Sequence, residues 1–210
     1  MNEKMKRVGN WMREQSSKHI VDSTAMLVYA TPAYALAEMF AGMTPGESEN
    51  ARILGAKLTY LGLGKLYAGG MRLSRKLSGA DKDKSKIKKN DTLYGIAYSA
   101  AISPVFYLCC GTQDLSKIAF GTAFSIGVGL VSGWPTGLAI DSYRDFTGLE
   151  NSDRLPQSLQ NKGRPFKLGL AGILAAASIA TTYGIYGVKN FLGEHFEHYK
   201  NMPLNAEVVK

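Results

Sequence analysis

A chain of 210 residues is long enough for one domain, and 20% charged residues is ordinary for a folded protein. Two cysteines, adjacent at positions 109 and 110, exclude a disulfide framework, and a bridge between neighbours in an apolar run would be strained. A net charge of +8 would suit nucleic acid, but Lys and Arg gather in three places (4–18, 72–89 and 144–167), each beside an apolar run, so nucleic acid is not an expected partner.

The mean hydropathy of −0.10 is low for a membrane protein, because charge is segregated and the average hides it. Residues 1–19 are basic and predict an amphipathic helix lying at the lipid headgroups, with Met5, Val8, Trp11 and Met12 on one side. They hold no apolar core, so they do not read as a cleavable signal. The first span is expected from Ile20 to Met43, kinked at Pro32 and interrupted by Glu38 near its outer end. Residues 44–50 are expected to form an outer loop. A second span follows at about 51–74, interrupted by Lys57 and Lys65, and Gly55, Gly62 and Gly69 recur every seven residues as a helix seam. Residues 75–90, with DKDKSKIKK, predict a solvated loop able to touch anionic lipid.

The stretch from Asp91 to Gly148 organises the rest. Thr92 to Gln113 runs 22 residues without a charge, and Ile118 to Ile140 runs 23. At about 1.5 Å of rise per residue, each covers a hydrocarbon core of ~30 Å. Asp114 to Lys117 leaves room only for a tight turn. Gly133, Gly137, Asp141 and Arg144, at spacings of four, four and three, share one helix face. After a polar stretch, 144–167, a fifth uncharged run covers Leu168 to Val188. The prediction is an all-α membrane bundle of five spans with a cytoplasmic N-terminus, because the Lys- and Arg-rich segments alternate with poor ones. It divides into residues 1–19, a transport domain 20–148, and 149–210 with the extra span and tail.

A shift of 69 residues aligns Asp22 with Asp91, Tyr29 with Tyr98, Gly42 with Gly111, Gly64 with Gly133, Arg75 with Arg144, and Gly79 with Gly148. Residues 22–79 and 91–148 thus read as two hairpins in parallel repeat, related by an axis along the membrane normal. The alternative is chance likeness between two Gly-rich hairpins.

No enzyme constellation, phosphate loop or metal set stands out. His195 and His198 lie at i, i+3 without further ligands, and no cofactor is expected. The embedded polar groups carry the chemistry. Asp22 and Asp91 precede the apolar runs, where a carboxylate caps a helix or meets substrate. Asp141 and Arg144, one turn apart at an inner helix end, make an ion pair or a gate. Glu38 inside a span would cost on the order of 3 kcal/mol unpaired. It is either a proton carrier or the partner of Lys57 or Lys65. Ser103-Pro104 frees a backbone carbonyl, and Tyr107 brings a hydroxyl nearby.

These residues resemble the AlaE family of L-alanine exporters. The resemblance runs from Ile20 to Asp145. It includes Asp22 to Tyr29 (DSTAMLVY), Glu38-Met39-Phe40, Gly42-Met43-Thr44, Arg52-Ile53-Leu54, Asp91, Tyr98, Ser103 to Tyr107 (SPVFY), Gly111, Gly133, Thr136, Gly137, Asp141 and Arg144. It implies a small inner-membrane protein of four helices that exports alanine with the proton gradient. The family's Pro-Tyr-Gly before an Arg-Asp pair is replaced here by residues 65–72, KLYAGGMR. The following loop is longer and more basic, and the fifth span is additional. The expected function is therefore export of a small neutral amino acid, with protons and lipids as partners and a homo-oligomer to thicken the wall. A zwitterion needs an anion near its amine, for which Glu38 or Asp141 would serve. The rival is a non-transporting membrane scaffold with a basic lipid-facing surface, and a second is a soluble helical protein.

Overall fold

A computed structural model of the chain describes residues 3–40, 43–109 and 114–200. Among them every regular element is helical: α1 (Glu3–Phe40), α2 (Pro45–Leu58), α3 (Gly64–Ser78), α4 (Lys84–Cys109), α5 (Leu115–Thr147), the short α6 (Gln157–Gln160) and α7 (Arg164–Lys200). A π-helical turn, Thr59–Leu63, joins α2 to α3. Gly42, Cys110, Gly111 and the tail beyond Lys200 lie outside the described residues.

Three stretches are long and apolar enough to cross a membrane: Ser85–Cys109, Ile118–Thr147 and Arg164–Phe191. They contain the uncharged runs of the sequence over the described residues, the first of them as far as Cys109. α1 and the α2–α3 rod are comparably long but carry Asp22, Glu38, Lys57 and Lys65 within their apolar stretches. Large apolar side chains are exposed on every long helix, among them Phe40, Leu61, Leu73, Phe120, Val131 and Ile173. A coat of that extent marks a surface that meets something other than water.

Glycine sets the packing. α4 and α5 lie together along much of their length, and α1 packs on α5 and α7. A Cβ on Gly95 would lie 2.8 Å from Gly133 Cα, one on Gly129 would lie 2.7 Å from Gly95 O, and one on Gly133 would lie 2.7 Å from Asp91 O. Three glycines thus bring two backbones into contact. The seam expected at Gly55, Gly62 and Gly69 is not there, since an added Cβ at each would have no neighbour within 4 Å. In that rod the close approaches are Gly64 against Ser23 and Gly70 against Tyr94.

Gly62 does something else. Its φ of 151° is open to glycine and breaks the helical ladder at the π turn. Side chains of neighbouring helices meet the carbonyls there. The His19 ring nitrogen Nε2 donates to Tyr60 O at 2.7 Å, the Ser23 hydroxyl to Thr59 O at 3.2 Å, and the Tyr98 hydroxyl to Leu63 O at 3.2 Å. Pro32, where a kink is expected, lies inside α1, which continues through it as one helix.

Three boundaries differ from the sequence expectation. The basic segment 1–19 does not form a separate surface helix. From Glu3 it is the start of α1, whose 38 residues make a rod about 57 Å long, well beyond the ~30 Å core. The loop expected at 44–50 is already helical, because Thr44 caps α2 and closes a capping box with Glu47. The backbone N–H and hydroxyl of Thr44 hold the Glu47 carboxyl below the usual carboxylate range. The loop expected at 75–90 shrinks to 79–83, since α3 reaches Ser78 and α4 starts at Lys84. Gly79 and Gly148, at φ 67° and 72°, end α3 and α5 in the left-handed conformation.

The buried apolar residues fall in two groups. One, around Tyr67, Met71, Ile140, Tyr143 and Phe146, sits where α1, α3, α5 and α7 meet. The other, Ala35, Met39 and Tyr186, lies toward the opposite ends of α1 and α7.

Candidate functional site

Neither Asp22 nor Asp91 is an N-cap. Asp22 lies deep inside α1 and Asp91 two turns into α4, only 2% and 0% exposed. A buried carboxylate needs partners, and each has an arginine. Arg144 donates from Nε to Asp22 Oδ1 at 2.6 Å and from Nη2 to Oδ2 at 2.7 Å. Arg75 grips Asp91 with the same two nitrogens, at 2.7 Å each. Both are forked, charge-assisted contacts.

Asp141 and Arg144 do not pair with each other. Asp141 takes hydrogen bonds from Arg75 Nη1 at 2.9 Å and from Arg154 Nη1 at 2.7 Å, while Arg144 turns to Asp22 and to Glu150 at 3.3 Å. One helical turn places the two side chains on the same face, yet Arg144 finds a better-buried carboxylate on α1, and Asp141 meets two arginines, one on α3 and one on the connection after α5. Arg154 also reaches Asp91 at 3.0 Å. It comes from the connection between α5 and α6, which is fastened by Asp145 through Ser152 N and Lys167 Nζ. Arg154 Nη2 is buried without a partner, a condition that costs roughly 1–3 kcal/mol. Beside this layer opens a vestibule of about 330 Å3, whose walls also include Arg72, Lys76, Asp81 and Asp153.

A second charged layer lies toward the other end of α1. Glu38 pairs with Arg52, not with Lys57 or Lys65, which are exposed. Glu38 also accepts from the Ser48 hydroxyl at 2.6 Å, and that oxygen is 2.9 Å from the Tyr186 hydroxyl of α7. Arg52 stacks over the Tyr34 ring at 4.9 Å.

Between the two layers is a small pocket of about 30 Å3, room for little more than a water molecule. Hydroxyls of Tyr34, Tyr67, Ser99, Ser132 and Thr136 line it, with the Gly95 and Gly129 backbones. Ser103, Pro104 and Tyr107 fall one and two turns beyond Ser99 on α4. There the Tyr107 hydroxyl donates to Gly121 O at 3.3 Å, so the geometry does not bring them to the pocket. Gly133 meets the α4 backbone, and Gly137 makes room for the Asp91–Arg75 pair: a Cβ there would lie 2.9 Å from Asp91 Cγ and 3.0 Å from Arg75 Nη2.

Sequence reasoning missed Arg52, Ser48, Tyr186, Arg154 and the pocket hydroxyls as site residues. The 69-residue offset already matched Asp22 with Asp91 and Arg75 with Arg144, a signal sufficient to name the four paired residues. Nothing around Arg154 marks it. Among the described residues no group of three His, Cys, Asp or Glu side chains is placed to hold a metal ion.

The fold and these layers define a helical bundle with three helices able to span a membrane. Comparison of the chain with protein-family models, curated proteins and solved structures finds no match.

Proposed function

We propose that the protein is a membrane exporter of a small neutral amino acid, with L-alanine as the favoured substrate and the proton gradient as the drive. The observation that carries this reading is the hydroxyl-lined pocket enclosed by α1, α3, α4 and α5, between two charged layers. Polar groups sunk among membrane helices face one another or a polar solute. At about 30 Å3 the pocket is too small for an amino acid, so transport would require its walls to part. Alanine is favoured on the motif resemblance. The pairing of Asp22 and Glu38 supports a crossing by α1, while a fifth crossing by the α2–α3 rod requires a cover for the exposed Lys57 and Lys65, such as a second copy of the chain.

The two-hairpin repeat belongs to the same reading. Offset by 69, Asp22–Arg144 maps onto Asp91–Arg75, so each half gives its Asp to the other half's Arg. The contact of Gly64 with Ser23 maps onto that of Gly133 with Thr92, and the left-handed Gly79 onto Gly148. Three pocket pairs, Met26/Gly95, Ala30/Ser99 and Tyr67/Thr136, share the offset, which supports an axis running through the pocket.

Liposomes loaded with labelled L-alanine test the function. Purified protein is expected to give saturable efflux, accelerated by an imposed proton gradient. Absence of flux from well-folded protein would favour the scaffold reading. Glu38→Gln is expected to lose uphill export and keep downhill exchange. Glu38 is ion-paired, so it must part from Arg52 before it can take a proton. Wild-type uphill export by Glu38→Gln would make Glu38 structural.

Orientation has its own test. In a background without Cys109 and Cys110, a Cys at Lys86 is expected to resist an impermeant thiol reagent in intact cells, and one at Gly46 to react. Both positions are exposed, and the opposite pattern would reverse the topology.

A further inference from the structure

We propose that the vestibule beside the inner charged layer is the loading site for the substrate, which binds as a zwitterion with its carboxylate on Arg154 and its ammonium on Asp141. This rests on the transport reading above. The vestibule, at about 330 Å3, has room for a small solute where the axis pocket, at about 30 Å3, has none. Its walls carry both signs in near balance, five arginine or lysine side chains against four aspartate or glutamate ones, with Arg154 and Asp141 among them. A ligand of one sign meets as much repulsion as attraction there, whereas a zwitterion finds a partner for each end.

Arg154 differs from the other two buried arginines. Arg75 and Arg144 each fork onto one carboxylate through Nε and Nη2. Arg154 spends a single nitrogen, Nη1, on both Asp91 and Asp141, and its Nη2 is buried with no acceptor. A free carboxylate offers the two-oxygen face that this guanidinium lacks. Arg154 also sits on a connection rather than a helix, so it can shift without moving a rod. If it turns to a ligand carboxylate, Asp91 keeps the Arg75 fork. Asp141 keeps one bond from Arg75 and loses its second cation, which leaves it open to the ligand's ammonium. The two ion pairs that Nη1 makes with Asp91 and Asp141 are thereby exchanged for two with the ligand, one of them a fork, and the connection that covers the inner layer is loosened in the same step.

The test uses purified full-length protein lacking Cys109 and Cys110, with a single Cys at the exposed vestibule residue Asn151. Equilibrium binding of labelled L-alanine is measured on the same sample. Saturating L-alanine is expected to slow alkylation of that Cys, while L-lactate (carboxylate only), L-alaninol (amine only) and inorganic phosphate protect far less. Arg154→Gln is expected to raise the half-protecting alanine concentration roughly tenfold, the equivalent of one charge-assisted contact. If that variant does not fold, Arg154→Lys, which keeps the charge but not the fork, should still show a clear rise. Alanine binding without protection at Asn151Cys would overturn the loading site and leave the transport reading intact. No alanine binding at all would overturn the transport reading. Equal protection by phosphate would make the vestibule a simple anion site and overturn the zwitterion assignment.

Discussion

Asp22→Ala is expected to destabilise the protein by about 3–5 kcal/mol, because it leaves the guanidinium of Arg144 buried with only the half-exposed Glu150 beside it. The size follows from burial. Asp22 and Arg144 are each 2% exposed, so neither can recover its hydration when the other is removed. Arg144→Ala should cost a similar amount for the mirror reason. The double change Asp22→Ala with Arg144→Ala should cost much less than the two singles added, since no charge is then stranded. The reciprocal exchange Asp22→Arg with Arg144→Asp should recover part of the loss if the pair matters as a pair. Unfolding in mixed detergent micelles, with the four proteins compared, gives the coupling. A cost below about 1 kcal/mol for Asp22→Ala would mean that water reaches the site and that the pair behaves as a surface contact.

The second large effect is expected at Gly133. A Cβ there would sit 2.7 Å from Asp91 O and 2.9 Å from Thr92 Cα, both backbone atoms that no rotamer change can move aside. Gly133→Ala is expected to push α5 off α4 and cost about 1–3 kcal/mol, and Gly133→Leu to abolish assembly. Gly137→Ala meets side chains instead, so its cost should appear as a weakened Asp91–Arg75 pair. Gly127→Ala is the control. It has no neighbour within 4 Å, and in a helix interior alanine is favoured over glycine by up to about 1 kcal/mol. Thermal melts in detergent rank the series. Gly133→Ala as stable as Gly127→Ala would show that the two helices stand apart in the membrane.

Much of the fold was legible because long uncharged runs admit few structures. The three runs fall in α4, α5 and α7, each of which extends beyond its run, α7 as far as Lys200. The errors came from reading charge as loop. Arg75 and Asp91 belong to helices because each neutralises the other, and a sequence window sees only two charges. The Gly55, Gly62 and Gly69 spacing predicted a seam, but a π turn at Gly62 rotates the rod within that interval, so a constant period no longer marks one face. Arg52 is nearer to Glu38 in sequence than Lys57 or Lys65, but only the two lysines stand out as charges interrupting the apolar run; α2 folds back on α1 and brings Arg52 to the carboxyl. Arg154 was illegible for a different reason: its placement depends on a connection pinned through Asp145, and no local pattern encodes that.

The two crosswise pairs have unequal histories during synthesis. Arg75 follows 16 residues ahead of Asp91, so that pair can close as soon as α4 emerges. Asp22 must wait for Arg144, 122 residues later. At ribosomal speeds of about 5–20 residues per second, that interval lasts roughly 6–25 s. In the proposed five-span arrangement α1 would hold, for that time, a carboxylate at the membrane edge with no arginine to meet it. The first helix would then take its final depth only after the fourth long rod of the bundle has been made. Until that moment it would need shelter from the insertion machinery, or water beside it.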